Sequence, residues 1–95
     1  MNEKLIEKKL REKIKELGGR AEKFIPTYFV GAPDRIVLMP GGRVYWVETK
    51  STGDKLRSIQ QTRKRQLEKL GFKCYKVDSK QALDRFIEEV KKDVD

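Results

Sequence analysis

The chain has 95 residues, 37% of them hydrophobic and 40% charged, with 23 Lys and Arg against 15 Asp and Glu, a formal charge of +8 and no histidine. This length predicts a single domain over residues 1–95 with one core of two or three layers. The lone Cys74 excludes an internal disulfide, and without His there is no zinc site, no His-based triad and no imidazole general base. A field this positive attracts phosphate backbones, so nucleic acid is the expected class of partner. No apolar run approaches the length of a membrane span and the N-terminus lacks a signal-peptide core, so a cytoplasmic location is expected.

Residues 2–17 read as an amphipathic helix, with Ile6, Leu10, Ile14 and Leu17 at helical spacing, Leu5 beside them and Gly18-Gly19 as the stop. At about 100° per residue, Glu12 and Glu16 fall on the far side, Glu3 lies on the stripe and Glu7 flanks it by roughly 65°. A carboxylate so near the buried face snorkels, pairs with a basic neighbour such as Arg11, or serves a site. Ala21 to Ile25 is a short strand ending at Pro26. Tyr28, Phe29 and Val30 follow in a loop, where the aromatics either stack on bases or pack against the first helix.

Asp34 to Met39 and Arg43 to Lys50 form the arms of a hairpin joined at Pro40-Gly41-Gly42. Alternation puts Val44, Trp46, Glu48 and Lys50 on one face of the second arm and Tyr45, Val47 and Thr49 on the other. Arg43 to Val47 is expected to be a central strand covered on both faces. Closing the hairpin brings Asp34 to the end that carries Glu48 and Lys50. Two hard oxygen ligands on adjacent strands, with the Thr49 backbone carbonyl as a third, suit Mg²⁺ or a similar divalent ion. Such an ion activates water and stabilises a phosphodiester under attack, and Lys50 would position the water or offset phosphate charge. The plainer alternative is a same-face ion pair between Glu48 and Lys50.

Ser51 to Arg57 is a polar loop, and Ser58 is the expected N-cap of a helix running to Leu70 with a thin stripe of Ile59, Leu67 and Leu70. Gln60 flanks that stripe by roughly 65°. Lys55, Arg57, Arg63, Lys64 and Arg65 make this the most concentrated basic region, the candidate surface for tracking phosphates. Phe72 to Val77 reads as a strand that buries Cys74. Asp78-Ser79 caps a final helix with Leu83, Phe86, Ile87 and Val90 on one face, and Lys91 to Asp95 is expected to fray. The order is αβββαβα, an α/β domain with a mixed sheet between helices.

Three strings carry a resemblance: Gly31-Ala-Pro-Asp34-Arg-Ile-Val, then Pro40-Gly-Gly-Arg-Val-Tyr-Trp-Val-Glu48-Thr-Lys50, then Lys55-Leu-Arg-Ser-Ile-Gln60. Together they are similar to the virus-type replication-repair nuclease (VRR-NUC) family of the PD-(D/E)xK superfamily, which includes restriction endonucleases and archaeal Holliday-junction resolvases. The resemblance extends over nearly the whole chain and implies a restriction-endonuclease-like fold. By position it implies metal-binding acids at Asp34 and Glu48, the catalytic lysine at Lys50 and an ordering glutamine at Gln60. It places a further acid on the first helix, where Glu3 and Glu7 both fall and Glu7 is preferred for its distance to Gly18. Two departures, Ala32 for the frequent Val and Thr49 for an aliphatic residue, are expected to leave the ligand side chains untouched.

The implied activity is a Mg²⁺- or Mn²⁺-dependent DNA endonuclease. Its junction-resolvase relatives further imply a homodimer acting on four-way or other branched DNA in phage or mobile-element replication and repair. The loop Tyr28 to Val30 and a sheet edge are the candidate dimer surfaces. A non-catalytic nucleic-acid-binding module of the same fold is the main alternative, and a small basic regulator of protein partners the second; the presence of every acid and the lysine argues against the first.

Overall fold

A computed structural model describes residues 1–93. Helix α1, Glu3–Glu16, starts where the Asn2 side chain accepts a hydrogen bond from the Leu5 N–H at 2.9 Å. It ends in a Schellman turn, with Gly18 at φ +85° and the Gly19 N–H bonded to the Ile14 carbonyl at 3.0 Å. The chain therefore reverses at once into β1, Arg20–Lys23. This strand is shifted from the expected Ala21 to Ile25, because the Phe24 N–H makes one last bond to the Asp34 carbonyl at 2.8 Å and Pro26 has no N–H to offer.

Strands β2, Arg35–Met39, and β3, Arg43–Thr49, close the expected hairpin through a short 3₁₀ turn, Pro40–Gly42. Helix α2, Ser58–Lys69, crosses to β4, Lys73–Val77, and helix α3, Lys80–Lys92, follows. The sheet order is β1-β2-β3-β4, antiparallel through β3 and parallel between β3 and β4. The order αβββαβα and the mixed sheet are those read from the sequence.

Helices α1 and α3 cover one face. Ile6, Leu10 and Ile14 meet Leu83, Phe86, Ile87 and Val90 over Val37, Tyr45, Val47 and Val77. Each such side chain, fully buried, contributes about 1.5–3 kcal/mol, and this layer is the main source of stability.

Helix α2 lies on the other face, against β4, and its inward side differs from the predicted stripe. Leu67 is buried, but Ile59 is 37% and Leu70 75% exposed, while Gln60 is buried. The remainder of that face is filled by aromatics instead, Phe24 and Phe72 meeting Trp46 edge-on. The cap also differs, because Arg57 is the N-cap and Ser58 is already helical. The Arg57 N–H is satisfied by Gln60 Oε1 at 2.9 Å.

The expected fraying from Lys91 does not occur as far as Asp93. Tyr45 donates to the Asp93 carboxylate at 2.7 Å, Lys73 meets it at 3.0 Å, and Arg43 donates to the Val90 carbonyl at 3.1 Å. Residues 94 and 95 of that expectation lie outside the described residues. No helix among the described residues is long and apolar enough to cross a membrane.

Candidate metal centre

The ladder that pairs Arg35 with Val47 sets Asp34 beside the end of β3. Asp34 Oδ1 accepts from the Thr49 N–H at 3.0 Å, and Oδ2 accepts from the Thr49 hydroxyl at 2.7 Å. Both carboxylate oxygens are thereby fixed before any ligand arrives. Glu48 turns to the α2 face, where Gln60 Nε2 donates to its Oε1 at 2.8 Å. Because Gln60 Oε1 is already bonded to the Arg57 N–H, its amide has one orientation and must present its donor to Glu48.

Glu48 is 6% exposed, and its carboxyl is pushed up to about 8, first by burial and then by the negative charge of Asp34, with Lys50 pulling the other way. Two carboxylates held against each other in a low-dielectric setting are costly without a cation. The donor set fits Mg²⁺ or Mn²⁺, which take one or two carboxylates and fill the remaining positions with water and phosphate oxygens. Among the described residues no cluster of three or more His, Cys, Asp or Glu side chains has metal-binding geometry.

Glu7 reaches the same place from α1. Its Oε1 accepts from the Thr49 hydroxyl at 3.3 Å, and its Oε2 lies 3.5 Å from an Arg35 nitrogen. Glu7 thus touches Asp34 through Thr49 and is paired with Arg35 rather than with Arg11. Glu3 makes no hydrogen bond or ion pair with these residues. Lys50 is half-buried just past β3, its N–H on the Val77 carbonyl at 3.0 Å. Among the described residues it forms no ion pair within 4.0 Å of Glu48, so the same-face pair considered from the sequence is not formed.

The Thr49 hydroxyl, as distinct from the backbone carbonyl named above, and the Arg35 side chain escaped the sequence reading. Thr49 touches both Asp34 and Glu7, contrary to the expectation that its departure from an aliphatic residue leaves ligand side chains untouched. Arg35 is 7% exposed and also donates to the Ala21 carbonyl at 3.3 Å. Its signal was parity: it shares the inward face with Val37 and Met39, and a cation there requires a partner.

A cleft of about 290 Å³ opens beside the pair, bordered by Asp34, Glu48, Gln60, Arg57 and the loop from Phe24 to Ala32. Arg57, the N-cap of α2, is exposed at its edge, and Lys55 is exposed in the loop before it. Arg63 is committed to the loop, donating to the Val30 carbonyl at 2.8 Å with its guanidinium 4.9 Å from the Phe29 ring centre. Lys64 borders a small void shared with Cys74 and Gly31. The Cys74 thiol is buried and pushed up to about 11 by that burial, so it is an inert strand residue. The loop aromatics do not pack on α1, since Phe29 meets α2 and Tyr28 faces solvent.

No family model matches the chain. A protein of Acyrthosiphon pisum secondary endosymbiont phage 1, named "Putative nuclease p44", is 35% identical over 79 residues, covering 83% of this chain and 85% of the phage protein. A solved structure titled "VRR_NUC domain" superposes with a TM-score of 0.85 at 30% identity, over 90% of this chain and 94% of that one. With the αβββαβα order, the mixed sheet and this coverage of both relatives, the chain belongs to the VRR-NUC family of nucleases.

Proposed function

We propose that this chain is a Mg²⁺- or Mn²⁺-dependent DNA endonuclease that hydrolyses phosphodiester bonds in four-way or other branched DNA as a homodimer. The observation that carries the reading is the buried Glu48 carboxyl at the end of β3, held by Gln60 beside Asp34 at the mouth of the cleft. Asp34 and Glu48 would hold the ion, with the Thr49 backbone carbonyl as a third oxygen, and Glu7 would complete the acidic cluster through the Thr49 hydroxyl. When bound there, such an ion would supply Lewis acidity toward water and phosphate. Lys50, half-buried just past β3, would position the attacking water and offset charge on the phosphate. Gln60 keeps Glu48 aimed at the cleft. Lys55 and Arg57 follow the phosphate backbone, with Arg63 and Lys64 contributing from the loop side of α2. A homodimer supports the branched-substrate reading because a two-fold assembly presents two sites to opposed strands.

Incubation with labelled four-way junction, flap and linear duplex DNA in Mg²⁺, Mn²⁺ or EDTA tests this. Cleavage of the branched substrates in either metal and none in EDTA is the predicted result. Cleavage that persists in EDTA contradicts the metal mechanism, and binding without cleavage under any metal supports a non-catalytic module instead. Light scattering at micromolar protein tests the dimer, which a mass near 11.1 kDa contradicts.

A further inference from the structure

The loop between β1 and β2 carries apolar surface that neither the core nor the metal centre uses. Ile25 is 78% exposed, Tyr28 98% and Val30 63%. Such exposure on a slack loop would mean little, but this loop is fastened along its inner side. The Ala32 N–H closes the turn on the Phe29 carbonyl at 3.1 Å, and Arg63 reaches from α2 to the Val30 carbonyl and the Phe29 ring. Gly31 adopts φ +84° and packs so closely on α2 that a Cβ there would sit 2.6 Å from Ile59 Cγ1. Phe24 anchors the other end, 5.4 Å from Trp46. The inner residues hold the loop, and Tyr28 is presented to solvent on a fixed base.

Ile25, Pro26, Phe29 and Val30 border the same cleft as Asp34, Glu48 and Arg57, and Tyr28, next to Phe29 in the chain, stands fully exposed on the outer side of that loop. We propose that Tyr28, flanked by Ile25 and Val30, is a stacking platform for an unpaired base next to the phosphate bound in the cleft. This rests on the cleft being the phosphodiester site. A phenol ring offers a π-face to any base without reading its identity. Continuous duplex presents only base edges and backbone, whereas a branch point, flap or single-stranded end exposes base faces. The platform therefore selects DNA with interrupted stacking. A second copy of this chain is disfavoured at this loop, because Arg57 borders the cleft and Arg63 is bonded to the loop, so a two-fold contact here would set like charges together.

The test is binding in EDTA, which needs no cleavage, of the full chain to junctions with 2-aminopurine at the branch or mid-arm. The branch probe is expected to respond and the mid-arm probe not. Tyr28→Ala should weaken junction binding roughly tenfold, within the range known for base–aromatic stacking, and Tyr28→Phe should restore it. Binding to continuous duplex should change less than about twofold, since backbone contacts dominate there. Unchanged junction affinity, equal loss on duplex and junction, or conversion of a dimer to a monomer by Tyr28→Ala overturns the platform. Tyr28-dependent junction binding without cleavage in Mg²⁺ upholds the platform while failing the nuclease reading. Metal-dependent cleavage whose branch preference survives Tyr28→Ala does the reverse.

Discussion

Gln60 Nε2 donates to Glu48 Oε1 at 2.8 Å, and this one bond ties the first turn of α2 to the end of β3. The same amide satisfies the Arg57 N–H, so a helix cap and a ligand orientation depend on one side chain. Gln60→Ala should cost about 1–2 kcal/mol from the lost cap and hydrogen bond. For a domain this size that lowers Tm by roughly 4–8 °C per kcal/mol. Cleavage by Gln60→Ala should require more Mg²⁺ for half-maximal rate and recover when Mg²⁺ is raised, which a metal titration of initial rates measures.

Thr49 links the two acids that the sequence places on different elements. Thr49→Val keeps the shape and removes the hydroxyl, freeing Asp34 Oδ2 and Glu7 Oε1 from a shared donor. The loss of one charge-assisted bond, about 1.5–3 kcal/mol when fully expressed, should reduce cleavage several-fold to about 100-fold. Thr49→Ser should retain most of the rate. Equal rates for Thr49→Val and wild type would show that Asp34 needs no fixing.

Glu3 and Glu7 can be separated by stability as well as by rate. Glu7→Ala leaves the buried Arg35 without its carboxylate, a change costing about 3 kcal/mol, the low end for such pairs because Glu7 retains some exposure. Glu3→Ala breaks no ion pair of this kind and should change stability by less than about 0.5 kcal/mol. Thermal unfolding of both variants checks this, and the rate should follow Glu7 alone.

The Asp34–Glu48 pair makes stability depend on pH in a defined direction. Glu48 titrates higher in the folded chain, at about 8, than its ordinary 4.5, so between those values the folded state binds more protons than the unfolded state. Stability contributed by protonated Glu48 is therefore complete below about 4.5 and is lost as pH rises toward about 8. In EDTA, Tm should fall across that window, and Glu48→Gln should flatten the fall. Added Mg²⁺ should raise Tm more at the upper end than at the lower, because metal and proton compete for the same oxygens. A wild-type profile that rises with pH through this window would contradict the burial of Glu48 beside Asp34.

How much of this could be read beforehand depended on whether hydropathy or partners through space decided a position. Ile6, Leu10 and Ile14, and Leu83, Phe86 and Val90, repeat at helical spacing and are buried as read. The hairpin arms were legible because their alternation is strict and Pro40-Gly41-Gly42 breaks it. Helix α2 was misread because one inward position is the polar Gln60, whose burial is set by Glu48 across the fold. Ser58 was passed over as the cap for the same reason, since the Gln60 side chain serves the Arg57 N–H. Asp34 and Glu48 stood out as acids at the ends of apolar runs. Arg35 and the Thr49 hydroxyl did not, because their partner Glu7 comes from a helix far away in sequence. Asp93 looked like part of a fraying tail until Tyr45 and Lys73 were found on it.

The central claim is that Asp34 and Glu48 hold a divalent ion that cuts a phosphodiester bond. The direct measurement is the single-turnover rate on a labelled branched DNA in Mg²⁺ for wild type, Asp34→Ala and Glu48→Gln, each shown to be folded by circular dichroism. The account predicts a metal-dependent wild-type rate and a fall of at least about 1,000-fold in both variants, the scale of removing more than about 4 kcal/mol of transition-state stabilisation. Cleavage by either folded variant at a rate near wild type would contradict it.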